Sequence, residues 1–465
     1  MTNKRITRTL AILSVVFLSL IVYMTVFDAL HHDDYAQSYA DERKNYVRRG
    51  KIYDRYGEDG ELLAESIGEL HEQERVYPHT NLYCHIIGHD GSTHEQQYIE
   101  KYYHNELMGT SSQAVLGDIM TIFSDARYMF KNKKEEQTGA DITLTIDHEL
   151  QQYTREIFKN TAYNNFSAVA MDPTTGEILA MVSVPEYDPT PAVYQENAEK
   201  LEKSDGNPIL AHAYRDFVYP GSVAKIITTC ALIEEGYEDH IVDETKKKNQ
   251  KVSNYDNDAG IKDRTLESAF INSSNVYFSE AVTLLSQDTY MEYAEKFMYN
   301  TEYSLDELPV VASKMSPDSS LANLTLGGNG NQTTPLHMAL IASTIANDGD
   351  MVKPHIIKEI SGATGYKTRT EYLKTNCIEE RTADIVEDYM YQVVNKGTGQ
   401  SAKVSGVKVC GKTGSADGGG AAFVGFAPKD NPKIAVCVYI RDTHKTGGSA
   451  AAPLAGQIIA KYLNK

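Results

Sequence analysis

Beyond residue 138, segments with strand character stand at both ends of a long helical middle, and this order constrains the fold more than any other feature. Asp141-Ile142-Thr143-Leu144-Thr145-Ile146-Asp147 alternates as a strand, and His148 to Asn160 reads as a helix. Val169 to Met171 and Ile178 to Ser183 read as two strands joined by a turn from Pro173 to Gly176. Helices follow, including Leu336 to Ala346. Strand character returns at Val407-Lys408-Val409-Cys410, Ala422 to Ala427 and Ile434 to Ile440, before a closing helix over 450–463. Strands so far apart in sequence share a core when one sheet is assembled from both ends. The expected class is therefore α+β, an antiparallel sheet flanked by helices.

A chain of 465 residues has room for more than one core, and 41% hydrophobic with 23% charged residues is a globular balance. The net charge of −19 argues against a general nucleic-acid binder and offers no polybasic attraction to anionic lipid. Leu10 to Phe27 is an uncharged, mostly apolar run that meets the lower length limit for a membrane span. Lys4, Arg5 and Arg8 precede it and Asp28, Asp33 and Asp34 follow, so the positive-inside rule puts the N-terminus in the cytoplasm and the rest outside. A cleaved signal peptide is the alternative, but the nearest small-x-small site, Ala36-Gln37-Ser38, lies well past the run. The expected organisation is a cytoplasmic tail over 1–9, a transmembrane anchor over 10–27, a small α+β module over 28–137 and a larger domain over 138–465. The polar stretch Lys131 to Gln137 marks the boundary between the last two.

Cys84, Cys230, Cys377, Cys410 and Cys437 are odd in number and widely spread, so the reading is neither a structural disulfide nor a zinc site. The histidines of the module, His31, His32, His71, His79, His85, His89, His94 and His104, show no regular spacing; they read as a solvated surface, and no metal site is expected.

Chemistry concentrates at Tyr219-Pro220-Gly221-Ser222-Val223-Ala224-Lys225. Pro220 and Gly221 break the incoming chain, and the apolar residues Ile226 to Ile233 continue as a helix that stops near Gly236. Residues three apart share a helix face, so Lys225 can reach the oxygen of Ser222, and the helix start favours negative charge. That arrangement makes an activated serine. Alone, Ser-x-x-Lys fits equally a helix start with a solvated lysine. Two later stretches change the balance: Ser273-Ser274-Asn275 opens another helix, and Lys412-Thr413-Gly414-Ser415 precedes the glycines 418, 419 and 420. Those three glycines read either as a loop that lets a ligand approach or as an ordinary hairpin tip.

Ser-x-x-Lys, Ser-x-Asn and Lys-Thr-Gly in this order form the signature of penicillin-binding proteins and serine β-lactamases. The chain resembles the class B penicillin-binding proteins, the membrane-anchored D,D-transpeptidases of peptidoglycan synthesis in elongation, division or sporulation. The resemblance covers most of residues 45–465. It includes Arg49-Gly50-x-Ile52-x-Asp54-Arg55, Leu144-Thr145-Ile146-Asp147, Thr175-Gly176-Glu177-Ile178-Leu179-Ala180-Met181, Thr334-Pro335-Leu336, Gly397-Thr398-Gly399 and Val424-Gly425-Phe426-Ala427-Pro428. The first segment is absent from serine β-lactamases. Departures are Gly328-Asn329-Gly330 where the family often has Gly-Gln-Gly, Ala422-Phe423 where it often has Trp-Phe, and Ser415 where threonine is commoner. The short module resembles the dimerisation or pedestal module of smaller members.

The resemblance implies a penicillin-binding transpeptidase domain that cross-links D-Ala-D-Ala stem peptides through an acyl-enzyme on Ser222 and is acylated by β-lactams. Lys225 is the expected base and Ser273 the proton relay. Asn275, Lys412, Thr413, Gly414 and Ser415 are expected to hold substrate, and the backbone N–H groups of Ser222 and Ser415 to form the oxyanion hole. No cofactor is implied. Implied partners are stem peptides, β-lactams, the membrane and a SEDS-type glycan polymerase. The rival reading is a β-lactam sensor or a non-catalytic scaffold for such a polymerase.

Overall fold

The computed structural model describes residues 8, 13–23, 47–91, 96–109, 137–159, 161–246, 252–254, 261–362, 366–416 and 418–464. Its central sheet has five strands: β1 (Phe166–Met171), β2 (Ile178–Val184), β3 (Cys410–Ala416), β4 (Gly420–Ala427) and β5 (Ile434–Ile440). Their order is β3-β4-β5-β1-β2, antiparallel throughout. The helices that matter for the site are α1 (His148–Lys159), α2 (Lys225–Glu234), α3 (Leu266–Ile271), α4 (Asn275–Ala281), α5 (Pro335–Ala346), α6 (Glu380–Lys396) and α7 (Gly447–Leu463).

Strands β1, β2, β4 and β5 are buried along their whole length, because helices cover both faces of the sheet. Alternation within them sorts the side chains. Val169, Met171, Val424, Phe426 and Cys437 pack in the same core as Leu336 and Met338 of α5. Their neighbours Ala168, Ala170, Phe423, Val436 and Val438 pack in the core that holds Leu150 and Phe158 of α1 and Ile458 of α7. Helix α5 starts on Pro335 with Thr334 as its cap, and all its residues are buried, so it is mostly apolar all round rather than amphipathic.

Strand β3 begins at Cys410, where the sequence pattern has a strand ending; Val407 makes only an isolated bridge with Val404. Gly411-Lys412-Thr413-Gly414 carries no apolar alternation. Pairing with β4, Lys412 opposite Val424 and Ser415 opposite Ala421, extends the strand through these residues. Tertiary context overrides local propensity here.

A second sheet has six strands in the order Tyr366–Lys367, Ile357–Ile360, Ile142–Leu144, Ile52–Tyr53, Leu62–Ile67, Glu74–Val76. Ile142–Leu144 lies parallel to Ile52–Tyr53 and antiparallel to Ile357–Ile360, so this sheet crosses the boundary drawn at 137/138. The Arg49-to-Arg55 segment explains itself locally. Arg49 and Arg75 both bond the buried Glu100 carboxylate, at 2.7 and 2.8 Å. Asp54 accepts from the N–H groups of Tyr56 and Glu61, each at 3.1 Å, and shapes the turn. Arg55 bonds Glu177, just before β2, at 3.0 Å.

Within the run read as an anchor, residues 13–23 are helical, with Leu13, Val15, Phe17, Leu20 and Ile21 exposed. The ends of that run, and the boundary stretch 131–136, lie outside the described residues. Among the described residues no helix is long and apolar enough to cross a membrane. All five cysteines are buried and unpaired. The solvated-surface reading of the module's histidines is corrected for His85 and His89, both buried. Both stand edge-on to Tyr187, and His89 also packs on Tyr194, so aromatic stacking and not spacing decides their place.

Candidate active site

Ser222 sits in a 3₁₀ turn, Gly221–Ala224, which runs directly into α2. Its backbone N–H lies in the first turn, where amides lack intrahelical acceptors. Gly221 has φ +54, and a Cβ there would come within 2.5 Å of the Ser415 carbonyl oxygen. Only glycine allows this left-handed approach, which sets the backbone of Ser222 beside that of Ser415 on edge strand β3.

Lys225 is fully buried. Its Nζ bonds the Ser273 carbonyl oxygen at 2.8 Å, Asn275 Oδ1 at 2.7 Å and Ser273 Oγ at 3.4 Å. From the other side, Lys412 Nζ donates to the same Ser273 Oγ at 2.9 Å and to Thr413 O at 3.1 Å. Two buried amines therefore converge on one hydroxyl. Burial, then the like charge of Lys412, hold the Lys225 amine well below the ordinary lysine value. Burial also brings Lys412 down to about 7.

Ser273 lies in the break between α3 and α4, with φ +56. The helix cap is Ser274, which accepts from Tyr277 N at 3.1 Å and bonds the buried Glu244 carboxylate. Glu244 is in turn held by Arg264 at 3.0 Å. The sequence reading missed this pair, because Asp243-Glu244-Thr245 looks like any polar surface run. Asn275 also donates Nδ2 to Ser253 O at 3.1 Å, so its amide is engaged on both sides.

On β3, Thr413 shares a 2.7 Å hydrogen bond with Thr398 from the Gly397-Thr398-Gly399 segment after α6, a second residue whose place the sequence did not reveal. Ser415 Oγ accepts from Gly447 N, at the start of α7, at 3.1 Å and keeps its own hydrogen to donate. Gly414 passes within contact of Pro220: a Cβ on it would meet Pro220 O at 2.5 Å. The structure thus brings together Ser222, Lys225, Ser273, Asn275, Lys412, Thr413, Gly414 and Ser415. Lys412, expected from the resemblance to hold substrate, is buried and turned onto Ser273, while the hydroxyls of Thr413 and Ser415 are its neighbours along the strand.

Such a site can activate a hydroxyl for attack on an acyl group, since it offers a low-dielectric base and backbone donors beside it. Comparison with known proteins agrees. The model of the penicillin-binding protein transpeptidase domain matches residues 166–460, and that of the penicillin-binding protein A dimerisation domain matches residues 49–129. The peptidoglycan D,D-transpeptidase PbpA of Mycolicibacterium smegmatis is 27% identical over 441 residues, covering 87% of this chain and 88% of that protein. PbpA of Mycobacterium tuberculosis strain H37Rv is 26% identical over 444 residues, 87% of each. The solved imipenem acyl-enzyme complex of penicillin-binding protein A from M. tuberculosis superposes with a TM-score of 0.80 at 25% identity, over 90% of this chain and 100% of that one.

Proposed function

The chain belongs to the class B penicillin-binding proteins, and from that premise we propose the route by which it cross-links peptidoglycan stem peptides. The observation that carries the reading is the chain from buried Lys225 through half-buried Ser273 to buried Lys412, beside the Ser222 turn. A neutral Lys225 has two hydrogens and one lone pair. Giving up its longest bond, the 3.4 Å contact to Ser273 Oγ, frees the lone pair to take the Ser222 proton. Ser222 Oγ attacks the penultimate D-Ala carbonyl, and the oxyanion rests on the backbone N–H groups of Ser222 and Ser415. The tetrahedral adduct collapses, and the C–N bond to the terminal D-Ala breaks. Ser273, fed by Lys225 and Lys412, hands a proton to the leaving nitrogen. An acceptor amine then attacks the Ser222 ester, Lys225 takes the amine's proton and returns it to Ser222 Oγ as the ester C–O bond breaks, and the cross-linked product is released. Asn275, Thr413, Gly414 and Ser415 hold the peptide, which pairs along the open edge of β3. A β-lactam enters the same way and leaves an ester on Ser222.

The charge on Lys412 gives this scheme a pH signature. With Lys412 near 7, its ammonium fraction falls as pH rises through that value, while burial and the like charge of Lys412 favour the neutral form of Lys225. For release of D-Ala from a peptide ending in D-Ala-D-Ala, kcat/KM is expected to fall through an alkaline limb at about pH 7. Stopped assays across neutral pH measure it, and a flat profile there would remove the Lys412 charge from the mechanism.

Residues 10–27 serve as the anchor, which leaves 28–465 outside the cell, facing the wall, with a SEDS-type polymerase as partner. The uncharged run and the basic residues before it support this placement. External protease on intact spheroplasts should remove the transpeptidase domain; its full protection would refute the orientation.

A further inference from the structure

One cluster outside the acyl-transfer site joins the two parts of the chain. Glu61 stands before the strand Leu62–Ile67, and His79 precedes the turn Thr80–Tyr83, both in the N-terminal module. His148 is the first residue of α1, in the larger domain. Potential ligand atoms of the three all lie within 4.8 Å of one another. His79 Nε2 is 3.5 Å from Glu61 Oε2; it is shielded from solvent and has no hydrogen-bond partner. The two imidazoles pack against each other at a tilt of 45°, 4.2 Å between centroids. Tyr83, itself buried, bonds His148 Nδ1 at 2.9 Å. That bond fixes the ring, and in the tautomer whose Nδ1–H donates to the hydroxyl, Nε2 carries the lone pair a metal needs.

We propose that Glu61, His79 and His148 bind a divalent transition-metal ion of the zinc class, which fastens the N-terminal module to the transpeptidase domain. Two imidazoles and one carboxylate suit zinc rather than calcium or magnesium, with water completing the coordination. Adjacent donors of a tetrahedral zinc stand about 3.3 Å apart, a separation the His79–Glu61 pair already approaches. The remaining gap closes by side-chain rotation, for which the exposed Glu61 carboxylate has room. The ion would reinforce contacts already bridging the same seam, Asn81 to Glu186 at 2.8 Å and Gln151 to Leu82 O at 3.2 Å. Sequence spacing gives no sign of it, because the third ligand lies in the other domain.

The test is calorimetric titration of zinc chloride into the untagged full chain in detergent after chelator treatment, with metal content read by mass spectrometry. One zinc per chain and a raised thermal midpoint are expected. Affinity should fall at least tenfold in Glu61→Gln, and the bound equivalent should vanish in His79→Gln. Labelling of His79→Gln by a fluorescent penicillin shows that this variant is folded. A parent that binds no zinc overturns the proposal, as does a His79→Gln chain that binds it as tightly as the parent.

Discussion

Ser222→Ala should leave a folded chain that benzylpenicillin no longer labels. Intact-protein mass spectrometry of the parent is expected to show one stable adduct, and the variant none. Release of D-Ala should drop by a factor on the order of 10⁴ to 10⁶, the scale of losing a serine nucleophile in a unit of cooperating groups. The side chain lost is small and Gly221, which sets the approach to Ser415, is untouched, so the melting temperature should stay within a few degrees. An adduct on the variant would place the nucleophile elsewhere. A variant that still supports growth in place of the parent would make the protein a scaffold in the cell, whatever its chemistry in the tube.

Lys225→Ala comes next in size. Loss of a general base costs about 10²- to 10⁴-fold, and here the same substitution also releases Ser273 and Asn275, which Lys225 ties together at 2.8 and 2.7 Å. We expect a fall near the upper end of that range in both kcat and kcat/KM, with the apparent affinity for substrate little changed. Because the nucleophile and base act as one unit, Ser222→Ala combined with Lys225→Ala should be scarcely worse than Ser222→Ala alone. Single-turnover acylation rates measure each. A Lys225→Ala rate within a few-fold of the parent would pass the base role to another group, and Lys412 is the first to examine.

The residues whose chemical type is itself the message were legible in the sequence. A serine three residues before a lysine at a helix start, followed far downstream by Ser-x-Asn and Lys-Thr-Gly, named a cluster that the fold gathers around Ser273 Oγ. The central sheet was legible too, since its buried strands are unbroken apolar runs. Supporting residues were not. Glu244 and Arg264 hold the cap of α4 from inside a polar stretch, and Thr398 meets Thr413 across the tail of α6. Nothing local separates such residues from surface polar groups, because their role depends on a partner brought by the fold. The start of β3 was hidden for a related reason: Val407 to Cys410 has the apolar pattern of a strand, but pairing with β4 begins only at Cys410 and runs through Lys412 to Ala416. His85 and His89 show the converse, polar side chains that aromatic neighbours draw inward.

The six-stranded sheet bears on how this protein can be divided. Ile142–Leu144 is flanked by Ile52–Tyr53 on one side and Ile357–Ile360 on the other. A fragment cut at residue 138 would strip one flank and bare a row of backbone donors and acceptors ready to capture another chain. The catalytic half is therefore not a detachable cassette. Insertions, truncations and domain exchanges that respect the sequence boundary would still tear a sheet, and a workable excision has to carry the strands beginning at Ile52 along with it.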